Sequence, residues 1–236
     1  AKRLTADAAI PVVFMGVASS VDGGLVSSFR NPGGNLTGID NYHAELTGKR
    51  LELLVKLLPQ TRRVLVLYDP GVVPGPPSLY SAREAARRLR VELREVAVSS
   101  EEELLAAVSG VSQSDTDAIL LLSSFVIEAS TDALAHLAVE RGIPVMGINA
   151  GEAASGYFAA YGASFYSQGF QAARLVAKVL HGHDPAAIPV ETSDLVQLAV
   201  NLNTARRLKV NPSPSWLSLA DVIIEEPGGS EVKGRE

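Results

Sequence analysis

Small hydroxyl and amide side chains recur in this chain at the points where its predicted strands end. Such groups can hold a small polar molecule through neutral hydrogen bonds, and the ring of Phe125 could add an apolar contact. Each serine also has a second interpretation, as the N-cap of the helix that follows it. Their shared position at one rim favours a ligand site. The residues concerned are Ser19, Ser20, Ser78, Ser123, Ser124 and Asn149.

Residues that could catalyse a reaction do not form a recognisable active site. His181 and His183 lie at a predicted helix end without a third metal ligand nearby, so a solvated terminus is the better interpretation. His43 has no nucleophile beside it in the local sequence. The glycine-rich stretch 31–34 matches neither a P-loop nor a dinucleotide fingerprint, and no GxSxG elbow is present. We therefore predict no enzymatic activity, no cofactor and no metal. A hydrolase or transferase on an open α/β sheet is the less favoured alternative.

The composition narrows the class of protein. A formal net charge of −5 argues against nucleic acid as a partner, because phosphate binding depends on clustered Lys and Arg. With 47% hydrophobic residues among 236, the chain can bury the core of one large domain or of two lobes. No apolar run reaches the roughly 18 residues that a membrane span needs. The absence of Cys excludes disulfides and thiolate chemistry. The first five residues lack a hydrophobic signal core, so we expect a targeting peptide to be absent or removed.

The elements that must position these side chains alternate between strands and helices. Short apolar runs rich in β-branched residues are each followed by a polar loop and an amphipathic helix, which is typical of a parallel sheet covered by helices. Open sheets of this kind bind ligands beyond the carboxyl ends of their strands. The predicted strands include 10–17, 63–68, 91–98, 118–122 and 143–148.

Helix boundaries follow from caps and breakers. The loop 69–78 is rich in Pro and Gly, and we expect Ser78 to cap a helix over 79–90. A short helix is expected over 25–29, and a long amphipathic helix over 166–181. The polar segment 227–236 is predicted to be disordered.

Several segments of the chain resemble one known family. The stretch Asn31-Pro32-Gly33-Gly34-Asn35-Leu36-Thr37-Gly38-Ile39, followed closely by Gly48-Lys49-Arg50-Leu51-Glu52-Leu53-Leu54, is similar to substrate-binding proteins of ABC transporters. The likeness is greatest to the branch that includes tryptophan- and other aromatic-amino-acid-binding members. Order and spacing hold from about Ile10 to Glu226. Further matching segments are 10–14, 161–166 and 201–205.

The resemblance implies a two-lobed, periplasmic-binding-protein-like α/β fold, with Rossmann-like parallel sheets flanked by helices. Residues 1–41 and 157–187 would form lobe 1, and residues 42–156 and 188–226 lobe 2. Family members carry further strand–helix units before the segment that matches Ile10, so lobe 1 is expected to be incomplete. An incomplete lobe would expose apolar surface, and a homodimer through it is one way to cover that surface.

The candidate site departs from the family pattern at two places. Ser19-Ser20-Val21 stands where relatives commonly have Asp-Pro-Val. Ser124, followed by Phe125, aligns with the acidic residue that pairs with a ligand ammonium in amino-acid-binding relatives. Because a lost charge-assisted bond is worth roughly 1.5–3 kcal/mol, a neutral or less polar ligand becomes plausible.

The function implied by the resemblance is that of a non-catalytic solute-binding component of an ABC-type uptake system. Such a protein captures an amino acid or related compound between its lobes and delivers it to a membrane permease. It would be periplasmic or extracellular, with a lipid anchor in a longer precursor as an open alternative. A ligand-sensing domain of a signalling system is the other candidate. The expected ligand-binding residues are Ser19, Ser20, Asp69, Ser78, Ser124, Phe125 and Asn149.

Overall fold

Two separate units make up the chain. The computed structural model describes residues 2–226 and 229–232. Unit 1 comprises Ala1–Tyr42 and Ala163–Val196, and unit 2 comprises His43–Gly162 and Gln197–Glu236.

Most strands fall where apolar runs predict them, with ends that differ by a few residues, but no strand was predicted at Glu191–Thr192 or Gly229–Val232. They are β1 Val12–Val17, β2 Leu36–Asp40, β3 Arg63–Tyr68, β4 Glu92–Ala97, β5 Ala118–Leu121, β6 Val145–Gly147, β7 Ala159–Ala163, β8 Glu191–Thr192, β9 Val196–Asn201, β10 Val222–Glu226 and β11 Gly229–Val232.

Helices alternate with these strands through most of the chain. They are α1 Lys2–Thr5, α2 His43–Leu57, α3 Gly75–Leu89, α4 Glu101–Ser109, α5 Phe125–Ala129, α6 Thr131–Glu140, α7 Ala150–Ala154, α8 Phe165–Leu180, α9 Leu202–Leu208 and α10 Pro214–Leu217, with a 3₁₀ turn at Pro185–Ala187.

Within the described residues, unit 2 contains one sheet of eight strands in the order β11-β10-β9-β7-β6-β5-β3-β4. Strands β3 and β5 pair in parallel with each other and with β4 and β6 on either side. Both are buried on two faces, which is why Val64–Leu67 and Ala118–Leu121 are continuously apolar. The predicted α/β class with helix-flanked parallel sheets is confirmed.

Unit 1 contains a three-stranded parallel sheet in the order β1-β2-β8, against which α8 packs. Phe14, Leu36 and Val190 form part of its apolar core. Gly38 lies so close to β1 that a Cβ there would be 2.2 Å from the carbonyl oxygen of Phe14, so the tight pairing of β1 with β2 requires glycine.

Two predicted helix features are wrong. Residues 25–29 form an irregular bend, because the amides of Leu25 and Val26 both donate to the carbonyl oxygen of Ser20 instead of beginning a helical ladder. Helix α3 begins at Gly75 and includes Ser78, which therefore does not cap it. Proline lacks an amide donor and has a helical φ, so Pro76 and Pro77 suit the first helical turn.

The carboxyl-terminal segment is only partly described. Gly229–Val232, within the segment predicted to be disordered, pairs with β10 as an antiparallel strand. Residues 227, 228 and 233–236 of that predicted tail lie outside the described residues.

Candidate functional site

The polar residues predicted for unit 2 follow three neighbouring strands of its sheet. Asp69 follows β3, Ser124 lies beyond β5, and Asn149 lies beyond β6. Since β6, β5 and β3 are adjacent and parallel, their carboxyl ends meet at one edge of the sheet. This edge is called the rim below, and it is where an open α/β sheet binds ligands.

Asp69 and Ser124 are joined directly at the rim. The Ser124 hydroxyl donates to Asp69 Oδ2 at 3.0 Å, and Asp69 Oδ1 accepts from the amide of Gly71 at 2.8 Å. Both side chains are buried. The rim therefore has a carboxylate beside position 124, supplied by the loop after β3. Position 124 itself has no charge, and the neighbouring carboxylate belongs to Asp69, which the sequence analysis also places among the candidate ligand-binding residues.

Ser124 also caps α5. Its Oγ accepts from the amide of Val126 at 3.2 Å while its proton goes to Asp69. The capping interpretation of this serine is confirmed, and the Asp69 carboxylate fixes the direction of its hydroxyl.

Phe125 and Ser78 are placed very differently. Phe125, the first residue of α5, is 85% exposed beside Ser124, so its ring is available for contact. Ser78 is buried within α3, and its Oγ has no hydrogen-bond partner among the described residues. Within the described residues, the Ser78 hydroxyl therefore forms no hydrogen bond with Asp69, Ser124 or Asn149.

Gly75 fixes the approach of α3 to the rim. A Cβ on Gly75 would lie 2.4 Å from the carbonyl oxygen of Asp69, a distance that no real side chain tolerates. Glycine at this position therefore lets the first turn of α3 pack against the backbone of the carboxylate-bearing residue.

Asn149 forms a capping box with Glu152 at the start of α7. Asn149 Oδ1 accepts from the Glu152 amide at 3.2 Å, and Glu152 Oε2 accepts from the amides of Asn149 at 3.3 Å and Ile148 at 2.6 Å. Glu152 was not among the predicted site residues. The Asn-x-x-Glu spacing of a capping box is the sequence signal that could have found it.

Glu152 is a buried acid with one oxygen unused. Only 5% of the Glu152 residue is exposed, and its Oε1 has no hydrogen-bond partner among the described residues. Burial raises the pKa of Glu152 to about 7, although the amides of Ile148 and Asn149 stabilise its charged form.

An acidic cleft opens beside Asn149. It has a volume of about 410 Å³, within the range of small-molecule sites. Glu128 contributes a second partly buried carboxylate, which accepts from the Ser123 hydroxyl at 3.3 Å and has a pKa raised by burial. The cleft is lined by Glu128, Ala129, Thr131, Asp132, Asn149, Gly151, Glu152 and Ser155.

A buried cation lies within the core of unit 2, on α2. Arg50 is fully buried and donates to the carbonyl oxygen of Tyr161 at 2.7 Å and to that of His43 at 2.9 Å. Its Nη2 lies 2.8 Å from His43 Nδ1. Because arginine can only donate, His43 accepts at Nδ1 and is neutral.

His43 is held neutral by its surroundings. Burial, and then the positive charge of Arg50, lower the pKa of His43 to about 3. Burial also lowers the pKa of Arg50, to about 10. Arg50 thus links His43 to the backbone carbonyl oxygens of His43 and Tyr161 inside unit 2.

In unit 1, Ser19 and Ser20 follow β1 in a tight turn. Ser19 has a left-handed φ of 57°. The Ser20 amide donates to Asp40 Oδ2 at 2.7 Å, and Asp40 Oδ1 accepts from the amide of Tyr42 at 2.9 Å. The Ser20 hydroxyl is buried without a hydrogen-bond partner among the described residues. Asp40 thus holds the serine turn against the end of β2.

The described part of the chain lacks two further features. No group of three or more His, Cys, Asp or Glu residues there could hold a metal ion. None of the helices described there combines the length and apolar character needed to cross a bilayer.

The helix-flanked parallel sheets, with polar residues at a rim of strand ends, define an α/β binding-protein architecture. Residues 2–224 match the family of ABC transporter substrate binding proteins, and the chain belongs to that family. The family is one of binding proteins and is not an enzyme class.

Three known proteins illustrate the similarity. A tyrosine-binding protein of Clostridioides difficile (strain R20291) is 29% identical over 199 residues, which cover 84% of this chain. The chain spans only 57% of the length of that relative. A conserved domain protein of Vibrio cholerae O1 biovar El Tor strain N16961 superposes with a TM-score of 0.83 at 23% identity, covering 91% of this chain and 71% of the other.

An ABC domain from Streptococcus pneumoniae in complex with L-Trp superposes with a TM-score of 0.81 at 21% identity. It covers 91% of this chain and 73% of the other. At these identities the two structures establish the fold.

Proposed function

We propose that this chain is a solute-binding protein of an ABC-type uptake system, and that it binds an amino-acid-like small molecule at the rim of unit 2. The observation that carries the proposal is the buried Asp69–Ser124 pair, placed where parallel strands end in a chain of this family. A carboxylate fixed by hydrogen bonds can accept from an ammonium or hydroxyl group.

The ligand class follows from the relatives and from the rim together. One relative is a tyrosine-binding protein, and one solved neighbour is in complex with L-Trp. Phe125, an exposed aromatic beside a carboxylate, suits a ligand that has both a ring and a polar group. We therefore propose an aromatic amino acid as the first ligand to test.

The biological setting is proposed on family grounds. Binding proteins of this family act outside the cytoplasmic membrane and deliver their ligand to a permease. A periplasmic or extracellular location, a permease partner and closure of two lobes on the ligand accordingly remain predictions. A lipid anchor in a longer precursor and a homodimer remain predictions as well.

Thermal unfolding with a ligand panel tests the proposal. The panel contains aromatic and aliphatic amino acids, sugars and nucleosides. A ligand present at a hundredfold excess over its Kd stabilises the folded chain by about 2.7 kcal/mol. At about 2–4 °C per kcal/mol for a chain of this size, the midpoint should rise by roughly 5–10 °C.

Two substitutions at the rim test whether the ligand binds there. Ser124→Ala and Phe125→Ala should reduce the shift caused by the bound ligand. Phe170→Ala is the matched control, because Phe170 is also an exposed aromatic, 65% accessible, but lies on α8 in unit 1. An undiminished shift in both rim variants would refute the rim as the site, and no shift with any compound would refute the binding function.

A further inference from the structure

A groove beside α9 and α10 in unit 2 is lined by two cations that have no acidic partner. Arg206 lies in the last turn of α9, and Lys209 is the residue at which that helix ends. Both side chains are exposed, and no ion pair between described side chains involves either of them. Among the described residues that line this groove there is no Asp or Glu. It is called the basic groove below.

The floor of the basic groove is aliphatic. Leu202, Val210 and Leu217 line it and also pack against the apolar core of unit 2. Its volume of about 600 Å³ lies within the range of small-molecule sites, which combine apolar walls with a few polar groups. An aliphatic chain matches such a floor, and the two cations favour an anionic group at its edge.

Arg206 is held in a fixed orientation. Its Nη1 donates to Asn203 Oδ1 at 2.9 Å and to the carbonyl oxygen of Glu225 at 3.2 Å, whereas its Nε and Nη2 form no hydrogen bond with the described residues. Arg83 uses that same pair of nitrogens to bind both carboxylate oxygens of Glu95, at 2.7 and 2.6 Å. Arg206 therefore presents to the groove the pair of donors that binds a carboxylate in a bidentate manner.

The carboxyl end of α9 does not by itself account for the position of these cations. Positive side chains in the last turn of a helix stabilise its carboxyl end, and Arg207 is placed as well as Arg206 for that role. Arg207 is also exposed, but it does not line the groove. Arg206 and Lys209 thus combine positive charge with the aliphatic floor, and Arg207 is their matched control.

The basic groove is separate from the rim. The amide of Asn201, the last residue of β9, donates to the carbonyl oxygen of Phe158 at 2.9 Å. Phe158 directly precedes β7, which is parallel to β6, so it lies at the edge of the sheet opposite the rim. Helix α9 begins at the next residue, Leu202, and therefore starts from that opposite edge.

We infer that the basic groove binds an aliphatic carboxylate. Arg206 contacts the two carboxylate oxygens through Nε and Nη2, and Lys209 adds a second positive charge. The hydrocarbon part lies against Leu202, Val210 and Leu217. This is a second ligand site, and it does not depend on the proposed binding of an amino acid at the rim.

Octanoate is the probe, because it combines a carboxylate with an aliphatic chain. Acetate has the charge alone, and octan-1-ol has the chain alone. Trp216, the only Trp in the sequence, lies on α10 between the groove residues Pro214 and Leu217, so its fluorescence reports on the groove. The wild-type chain should bind octanoate about tenfold or more tightly than it binds acetate or octan-1-ol.

Three substitutions test the assignment of the cations. Arg206→Gln should weaken octanoate binding about tenfold and Lys209→Gln about threefold, and neither should change the affinity for octan-1-ol. Arg207→Gln makes the same change of charge on the same helix and should bind octanoate as the wild-type chain does. All three side chains are exposed, so the variants should fold, which circular dichroism checks.

Four results would overturn the inference. The first is octanoate binding that is absent or no tighter than that of octan-1-ol, and the second is an equal loss of affinity in Arg207→Gln, which indicates general attraction to positive charge. The third is a loss in Ser124→Ala with wild-type affinity in Arg206→Gln, which places octanoate at the rim. The fourth is a response to poly-L-glutamate but not to octanoate, which assigns the groove to an acidic polypeptide. The amino-acid titrations of the rim are independent of all four, so the two proposals fail separately.

Discussion

His43 and Glu152 should give unit 2 two opposite responses to acid. Both are buried, and both have a pKa shifted towards the neutral form, but one is a base and the other an acid. Two variants separate them. His43→Asn keeps an acceptor for Arg50, and Glu152→Gln keeps an acceptor for the amide of Ile148, while each removes one titrating group.

The size of the His43 contribution to the change in unfolding free energy follows from the pKa of its imidazole. In the unfolded chain the imidazole binds a proton near pH 6.5, whereas in the folded chain it does so only near pH 3. The unfolded state therefore binds more protons as the pH falls. Between pH 7 and pH 5 the free energy of unfolding should drop by about 2 kcal/mol on this account.

Glu152 changes the free energy of unfolding in the opposite direction on acidification. Its pKa rises from 4.5 to about 7 on folding, so the folded state takes up a proton first as the pH falls. Acidification over the same interval should raise the free energy of unfolding by about 2 kcal/mol. The two contributions nearly cancel in the wild-type chain.

Urea unfolding followed by circular dichroism at pH 7 and pH 5 measures the free energy of unfolding of the wild-type chain and of the two variants. Between pH 7 and pH 5, His43→Asn should gain about 2 kcal/mol and Glu152→Gln should lose about 2 kcal/mol, relative to the wild-type change. The other titrating groups are common to all three proteins, so the contrast between the variants, about 4 kcal/mol, is the decisive quantity. Equal pH responses in the two variants would refute the assignment of buried neutral forms.

Further predictions concern the backbone and a helix cap. Gly75→Ala should cost about 1–3 kcal/mol, because its methyl group would overlap the carbonyl oxygen of Asp69, and denaturant midpoints measure this. The matched control is Gly169→Ala, because Gly169 lies in the interior of α8 and an added Cβ there meets nothing within 4 Å. This substitution should stabilise the chain by about 0.5–1 kcal/mol. A loss of stability would contradict the packing described. Ser100→Ala should cost about 1 kcal/mol by removing the acceptor for the Glu103 amide at the start of α4, whereas Ser100→Asp should retain the cap.

The parallel-sheet architecture could be predicted because its signal is local. Strands buried on both faces must be continuously apolar, and β3 and β5 are so. The start of α3 could not be located in the same way. Pro76 and Pro77 indicate a loop when counted with their neighbouring glycines, but each also suits a first helical turn, and tertiary packing decides between the two.

The placement of the candidate residues at strand ends could be predicted from the sequence, but the hydrogen bond between two of them could not. Asp69 and Ser124 could both be assigned to strand ends from the sequence, but their hydrogen bond joins residues 55 positions apart. The sequence does not show that contact, so a neutral ligand is predicted there from position 124 without regard to the neighbouring carboxylate. Glu152 was missed because its burial, which the capping-box spacing does not reveal, is what makes it chemically unusual.

A titration of the ¹⁵N-labelled chain with L-tyrosine and L-tryptophan, followed by NMR, tests the central claim most directly. The amides of Gly71, Val126 and Glu152 donate to the rim side chains Asp69, Ser124 and Asn149, so they report on each of the three strand ends. The account predicts saturable shifts of these amides with a common Kd for at least one of the two amino acids. Shifts confined to other parts of unit 2, or no saturable shift with either amino acid, would contradict it.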